Sequence, residues 1–134
     1  MTLEKKARLL IALGAAWGFF SVAMGAFGAH GLEGKLTEKA MEAYKTGIFY
    51  GLIHSVMLVL AGGLEYKASV KSGWFFLAGN FLFTLSLIVY AISEIKTFAM
   101  ITPFGGVSYL IGWGILFWGF IRANPQDEQA SHQK

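Results

Sequence analysis

Cysteine is absent from this 134-residue chain, which excludes disulfides, thiolate nucleophiles and thiolate metal ligands and leaves no clue to a redox compartment. Charge is nearly as scarce. Asp, Glu, Lys and Arg make up 14% of the residues, where a soluble domain carries about a quarter. The formal net charge is only +3, and no long basic run with interleaved aromatics is present, so a nucleic-acid surface is not expected. Catalytic spacing is missing as well. No hydroxyl or carboxylate is set against a base in a way that specifies a reaction, and the Gly112-Trp113-Gly114 match to a phosphate loop sits inside an apolar run, where glycine serves packing. A non-enzyme without a cofactor is the expectation.

What is abundant is apolar surface. Hydrophobic residues are 55% of the chain and the mean hydropathy is +0.54. They gather into four uncharged blocks, Leu9–Ala29, Thr46–Leu64, Gly73–Ser93 and Phe104–Ile121. The first, at 21 residues, would be about 31 Å long as a helix, one bilayer crossing. Lys5, Lys6 and Arg8 before it suit a secretory signal with a poor cleavage site at Ala26-Phe27-Gly28, but the block is longer than a signal's apolar region and more blocks follow. A retained first helix is expected.

The blocks hold 79 residues and leave 55 for the rest, so short connections must join antiparallel neighbours in an all-α four-helix transmembrane bundle spanning residues 1–121. Residues 122–134 read as a polar, disordered cytoplasmic tail. Between the first two blocks, Thr37 can N-cap a short interfacial helix that runs on into the second, with Ala40, Met41, Tyr44 and Gly47 on one face. Thr102-Pro103 has the form of an N-cap followed by a first-turn proline at the start of the last crossing. Seven basic residues fall on the side of the termini and four on the other, which places both termini in the cytoplasm and the protein in the plasma membrane.

Gly14, Gly18, Ser21, Gly25 and Gly28 recur at spacings of four and three, as do Gly105, Ser108 and Gly112. Such stripes let a neighbouring helix come close. His54, in the middle of the second block, is costly in lipid unless it faces the bundle and is hydrogen-bonded; Tyr50, Asn80, Ser86 and Tyr90 are the partners within reach. It reads either as a structural tie or as a relay or ligand group. His30, between glycines at the end of the first helix, reads as a helix-terminus residue or as part of a site shared with the charged segment after it. Neither histidine has the further ligands a metal needs, since Glu33, Glu38 and Glu42 have lysine neighbours to pair with.

Gly25-Ala26-Phe27-Gly28-Ala29-His30-Gly31-Leu32, the stretch Tyr50 to Leu60 with His54, Thr102-Pro103-Phe104-Gly105-Gly106 and Gly112-Trp113 resemble the domain of unknown function 423 family. These are small four-helix inner-membrane proteins of bacteria, related to transmembrane protein 256 of animals. The third helix departs from the pattern, with Thr84-Leu85-Ser86 where a Ser-Gly-Ser-like segment is expected. The resemblance implies the four-helix architecture and no activity. The residues favour a non-enzymatic accessory or membrane-organising component whose partners are the bilayer and another membrane protein or a second copy. A small proton or solute conductor using His54 and the polar groups of helix 3 is the alternative.

Overall fold

The computed structural model describes residues 1–123. The tail beyond Ala123, with His132, lies outside the described residues. Four long helices make up the fold: α1 (Leu3–Gly31), α2 (Glu38–Gly63), α3 (Lys67–Ser93) and α4 (Lys96–Ile121). All four are long and apolar enough to cross a bilayer.

Each boundary has a local cause. Thr2 caps α1 by accepting the Lys5 N–H, and Thr37 caps α2 by accepting that of Ala40. The segment expected at the interface is the opening of α2 itself, because nothing between Glu38 and Gly63 breaks the helix. α3 begins at Lys67, ahead of the apolar block, where Ser69 Oγ accepts the Tyr66 N–H and donates to the Tyr66 carbonyl. Between α3 and α4 the turn is only Glu94-Ile95, with Glu94 in the left-handed region at φ 55° ending α3.

The start of α4 corrects the sequence reading. The helix opens at Lys96, and Pro103 lies inside it. Thr102 does not cap; its hydroxyl donates to the Phe98 carbonyl one turn back and meets Ser86 Oγ of α3 at 2.7 Å. Proline removes one backbone N–H from the ladder, and this hydroxyl supplies hydrogen bonds beside the gap.

Arrangement follows from side-chain size. α2 and α3 form the middle of the bundle, α1 packs on α2 with a smaller contact to α3, and α4 packs on α3. Among the described residues no Cα of α1 or α2 lies within 8 Å of one in α4. Burial is inverted relative to a water-soluble protein: Ser21, Ser69, Ser72, Asn80 and Thr84 are fully enclosed, while Phe19 is 80% and Leu110 72% exposed. That is the distribution lipid demands, since large apolar side chains cost nothing against acyl chains and polar groups must turn inward.

The glycine stripes lie against neighbouring helices. On α1, methyls at Gly14 and Gly18 would meet Ser55 of α2, one at Gly25 would meet Ile48, and one at Gly28 the ring of Tyr44. Tyr44 then donates its hydroxyl to the Met24 carbonyl, tying α2 to α1. On α4, Gly105 faces the backbone of Leu82 and Phe83, Ser108 donates to the Phe75 carbonyl at 2.7 Å, and Gly112 faces the ring of Phe76.

Candidate functional site

The bundle's polar centre is built where α3 departs from regular α-helix. Residues Asn80–Leu85 form a π-helical segment. Such a widened turn recurs at functional sites, and here both Asn80 and Thr84, four apart within it, are fully buried. Glycine on α2 makes room for them: a methyl at Gly51 would lie 2.9 Å from Thr84 Oγ1 and 3.3 Å from Ser21 Oγ.

Tyr109 of α4 joins these groups. Its hydroxyl donates to Asn80 Oδ1 at 2.7 Å and lies 3.3 Å from Thr84 Oγ1. The ring of Tyr109 is stacked on that of His54, with centroids 3.6 Å apart and planes 9° from parallel. His54 is buried, with 3% of its surface exposed. Its Nδ1 lies 2.8 Å from the Tyr50 carbonyl, a pure acceptor, so Nδ1 carries the proton. Its Nε2 accepts from the indole Nε1–H of Trp113 at 3.2 Å. Both ring nitrogens are therefore used by the neutral imidazole, and a second proton on Nε2 would face the Trp113 donor.

This geometry corrects the expected partner of His54. It faces the bundle as expected, but it is tied to α4 and to its own helix rather than to a polar group of α3. Among the described residues no Cα of α2 lies within 8 Å of one in α4, and the long aromatic side chains of Tyr109 and Trp113 reach across. Of the other candidates, Asn80 joins the network through Tyr109, and Ser86 Oγ bonds the Phe83 carbonyl and Thr102. Tyr50 supplies its carbonyl and, as a residue, is 41% exposed. Tyr90 is half-buried and takes no part in the network. His30 is exposed on the last turn of α1, level with Gly28 and Tyr44; His54 lies ten residues further along α2, about 15 Å at helical rise. The two histidines are not brought together.

Tyr109 carries no signal of its own in the sequence, Thr84 stands out only in the Thr84-Leu85-Ser86 segment, and Trp113 only within the Gly112-Trp113 motif. The available signal was the spacing of Tyr109 and Trp113, four apart on one helical face, matching Tyr50 and His54 on α2. Three buried polar atoms lack a partner among the described residues: Asn80 Nδ2, Ser21 Oγ and Trp17 Nε1. The arrangement can hold helices in register by hydrogen bonds and stacked rings. It presents no nucleophile activated by a base.

Comparison with known proteins gives a consistent result. Residues 24–106 match the family described as Protein of unknown function (DUF423). The chain is 38% identical over 111 residues to the UPF0382 membrane protein YwdK of Bacillus subtilis, covering 79% of this chain and 90% of that one. It is 38% identical over 112 residues to the UPF0382 membrane protein SH2409 of Staphylococcus haemolyticus, covering 81% and 92%. With the UPF0382 inner membrane protein YgdD of Escherichia coli K12 it shares 36% over 119 residues, covering 86% and 91%. No solved structure matches the chain. With four apolar helices, an inside-out distribution of side chains and relatives named as membrane proteins, this chain belongs to the DUF423 family of membrane proteins of unknown function.

Proposed function

We infer that the protein is a non-enzymatic accessory or organising component of the plasma membrane, with both termini cytoplasmic, acting through its helix surfaces on another membrane protein or a second copy. The observation that carries this reading is the state of His54. Both of its nitrogens are engaged, by the Tyr50 carbonyl and the Trp113 indole, and its face is covered by Tyr109. A proton relay needs an imidazole free to gain and lose a proton, and here each gain would break the bond to Trp113.

One observation favours the rival reading of a small conductor. Asn80 Nδ2 and Ser21 Oγ are buried without a partner beside the Tyr109–Thr84 pair, so the centre retains polar capacity that a passing proton or solute could use. Flux separates the two. Proton and small-solute flux is measured in proteoliposomes for wild type and His54→Ala between about pH 5.5 and 7.5, the range in which imidazole changes charge. Flux equal to that of empty liposomes, with partners recovered by crosslinking, is the expected result. Flux well above that level which disappears in His54→Ala would overturn the reading.

A further inference from the structure

Two cavities open on the outside of the α1–α2 pair and run into each other. One, of about 290 Å³, is apolar and is walled by Gly25, Ile48, Phe49 and Leu52; the other, of about 440 Å³, lies at the α1–α2 connection and includes Glu33 and Glu38. Gly28, Ala29, Met41 and Lys45 line both, so the two are one groove that begins in the apolar span and ends at the charged connection. The groove exists because α1 is bare there. Gly25 and Ala29 have almost no side chains, and a methyl at Gly25 would meet only Ile48, at 3.4 Å, whereas Gly28 is covered by the ring of Tyr44.

The order of groups along α2 is the informative part. Leu52, Ile48, Lys45, Met41 and Glu38 follow at helical spacing on one face, so a molecule lying in the groove meets apolar surface first, then a single ammonium, then a carboxylate with Glu33 beside it. Lys45, Glu33 and Glu38 are exposed and form no salt bridge among the described residues, where the one ion pair is Arg8–Glu4. A glycerophospholipid with a primary amine has the matching sequence: acyl chain, phosphate, ammonium. We propose that this groove binds a phosphatidylethanolamine-type lipid, the acyl chain between α1 and α2, the phosphate on Lys45 and the ammonium on Glu33 and Glu38.

Other headgroups fit the charges less well. An anionic lipid without an amine engages Lys45 but sets its negative charge near Glu33 and Glu38, which form no ion pair with their lysine neighbours among the described residues. A choline headgroup has no N–H to donate to them, and the charge-assisted hydrogen bonds are lost. The proposal rests on the membrane placement of the chain and is independent of whether the centre of the bundle conducts.

The test uses the full chain reconstituted into vesicles of equal parts phosphatidylethanolamine, phosphatidylglycerol and phosphatidylcholine with identical acyl chains, extracted in mild detergent, and assayed for co-purifying lipid. Retained phosphatidylethanolamine is expected to exceed each of the others by about threefold, the effect of one modest ion pair. Glu33→Gln with Glu38→Gln should abolish that preference while leaving lipid bound, and Lys45→Gln should lower retention of all three lipids, since each carries the phosphate. All three residues are exposed, so the helical content by circular dichroism should be unchanged. Gly25→Leu should fill the apolar end and reduce retention of every lipid with the charges intact. Equal retention of the three lipids by wild type, or a preference that survives the double glutamate variant, would overturn the proposal.

Discussion

At Gly105 the bundle has no room for a side chain. A methyl there would sit 2.7 Å from Phe83 Cβ and 2.8 Å from the Leu82 carbonyl carbon, and in contact with the Phe83 amide nitrogen, all within the π-helical segment of α3. None of these atoms is the free end of a flexible side chain, so the helices must separate. Overpacking of this kind costs about 1 to 3 kcal/mol. Gly114, on the same helix, supplies the reference, because a methyl there meets nothing within 4 Å. Replacing glycine by alanine favours the helix by about 1 kcal/mol at either position, so the propensity gain cancels between Gly105→Ala and Gly114→Ala. The difference of about 1 to 3 kcal/mol is then packing alone. Unfolding in mixed micelles with increasing dodecyl sulfate, followed by fluorescence of the four tryptophans, measures it. Gly112→Ala should also be less stable than Gly114→Ala, since its methyl meets the ring of Phe76, which is itself fully buried. Midpoints for Gly105→Ala and Gly114→Ala that agree within about 0.5 kcal/mol, the usual scatter of neutral substitutions, would refute the close approach.

Trp113→Phe should leave His54 Nε2 buried without a donor, and a double-mutant cycle with His54→Leu should return a coupling near 0.6 kcal/mol, the average for hydrogen bonds inside membranes; a coupling indistinguishable from zero would remove the bond from the account. Thr102→Val deletes the hydroxyl shared by Ser86 and the Phe98 carbonyl, and should destabilise the bundle by about 1 kcal/mol, where Thr46→Val, outside this network, should change little. For topology, the absence of native cysteine makes labelling clean: Lys71→Cys should resist an impermeant external thiol reagent in intact cells and Lys35→Cys should react, both positions being exposed. Reaction at position 71 with protection at 35 would invert the orientation. Ser69, on the same side, is unsuited to labelling because it is fully buried in the opening turn of α3.

Membrane location, the number of helices and the identity of the packing faces were legible in the sequence because each depends on a local quantity. An uncharged block of Leu9–Ala29 length has one stable solution in a bilayer, and glycines at spacings of three and four share a face whatever they touch. Gly14 to Gly28 and Gly105 to Gly112 accordingly line contacts in the folded chain. Helix starts were read less well where a cap signal conflicted with a longer helix. Thr102-Pro103 looks like an opening turn, yet the apolar residues Phe98 to Ile101 extend α4 backwards, and Thr102 uses its hydroxyl across to Ser86 instead.

The partners of His54 were decided only by tertiary structure. From the sequence, polar residues of α3 were the reasonable partners, because Asn80, Ser86 and Tyr90 are the conspicuous hydrogen-bonding groups of a neighbouring helix. Folding instead buries Asn80 and Thr84 in a π-helical segment, a change in helix winding that no periodicity announces, and brings Tyr109 and Trp113 of α4 over the imidazole. Which of two aromatic residues four apart reaches a given histidine depends on interhelical distance, and α2 and α4 stand apart in this bundle. The groove beside α1 has the same origin: the small residues Gly25 and Ala29 are written in the sequence, as is Gly28, but that Tyr44 covers Gly28 while the space beside Gly25 stays open is set by how the helices meet.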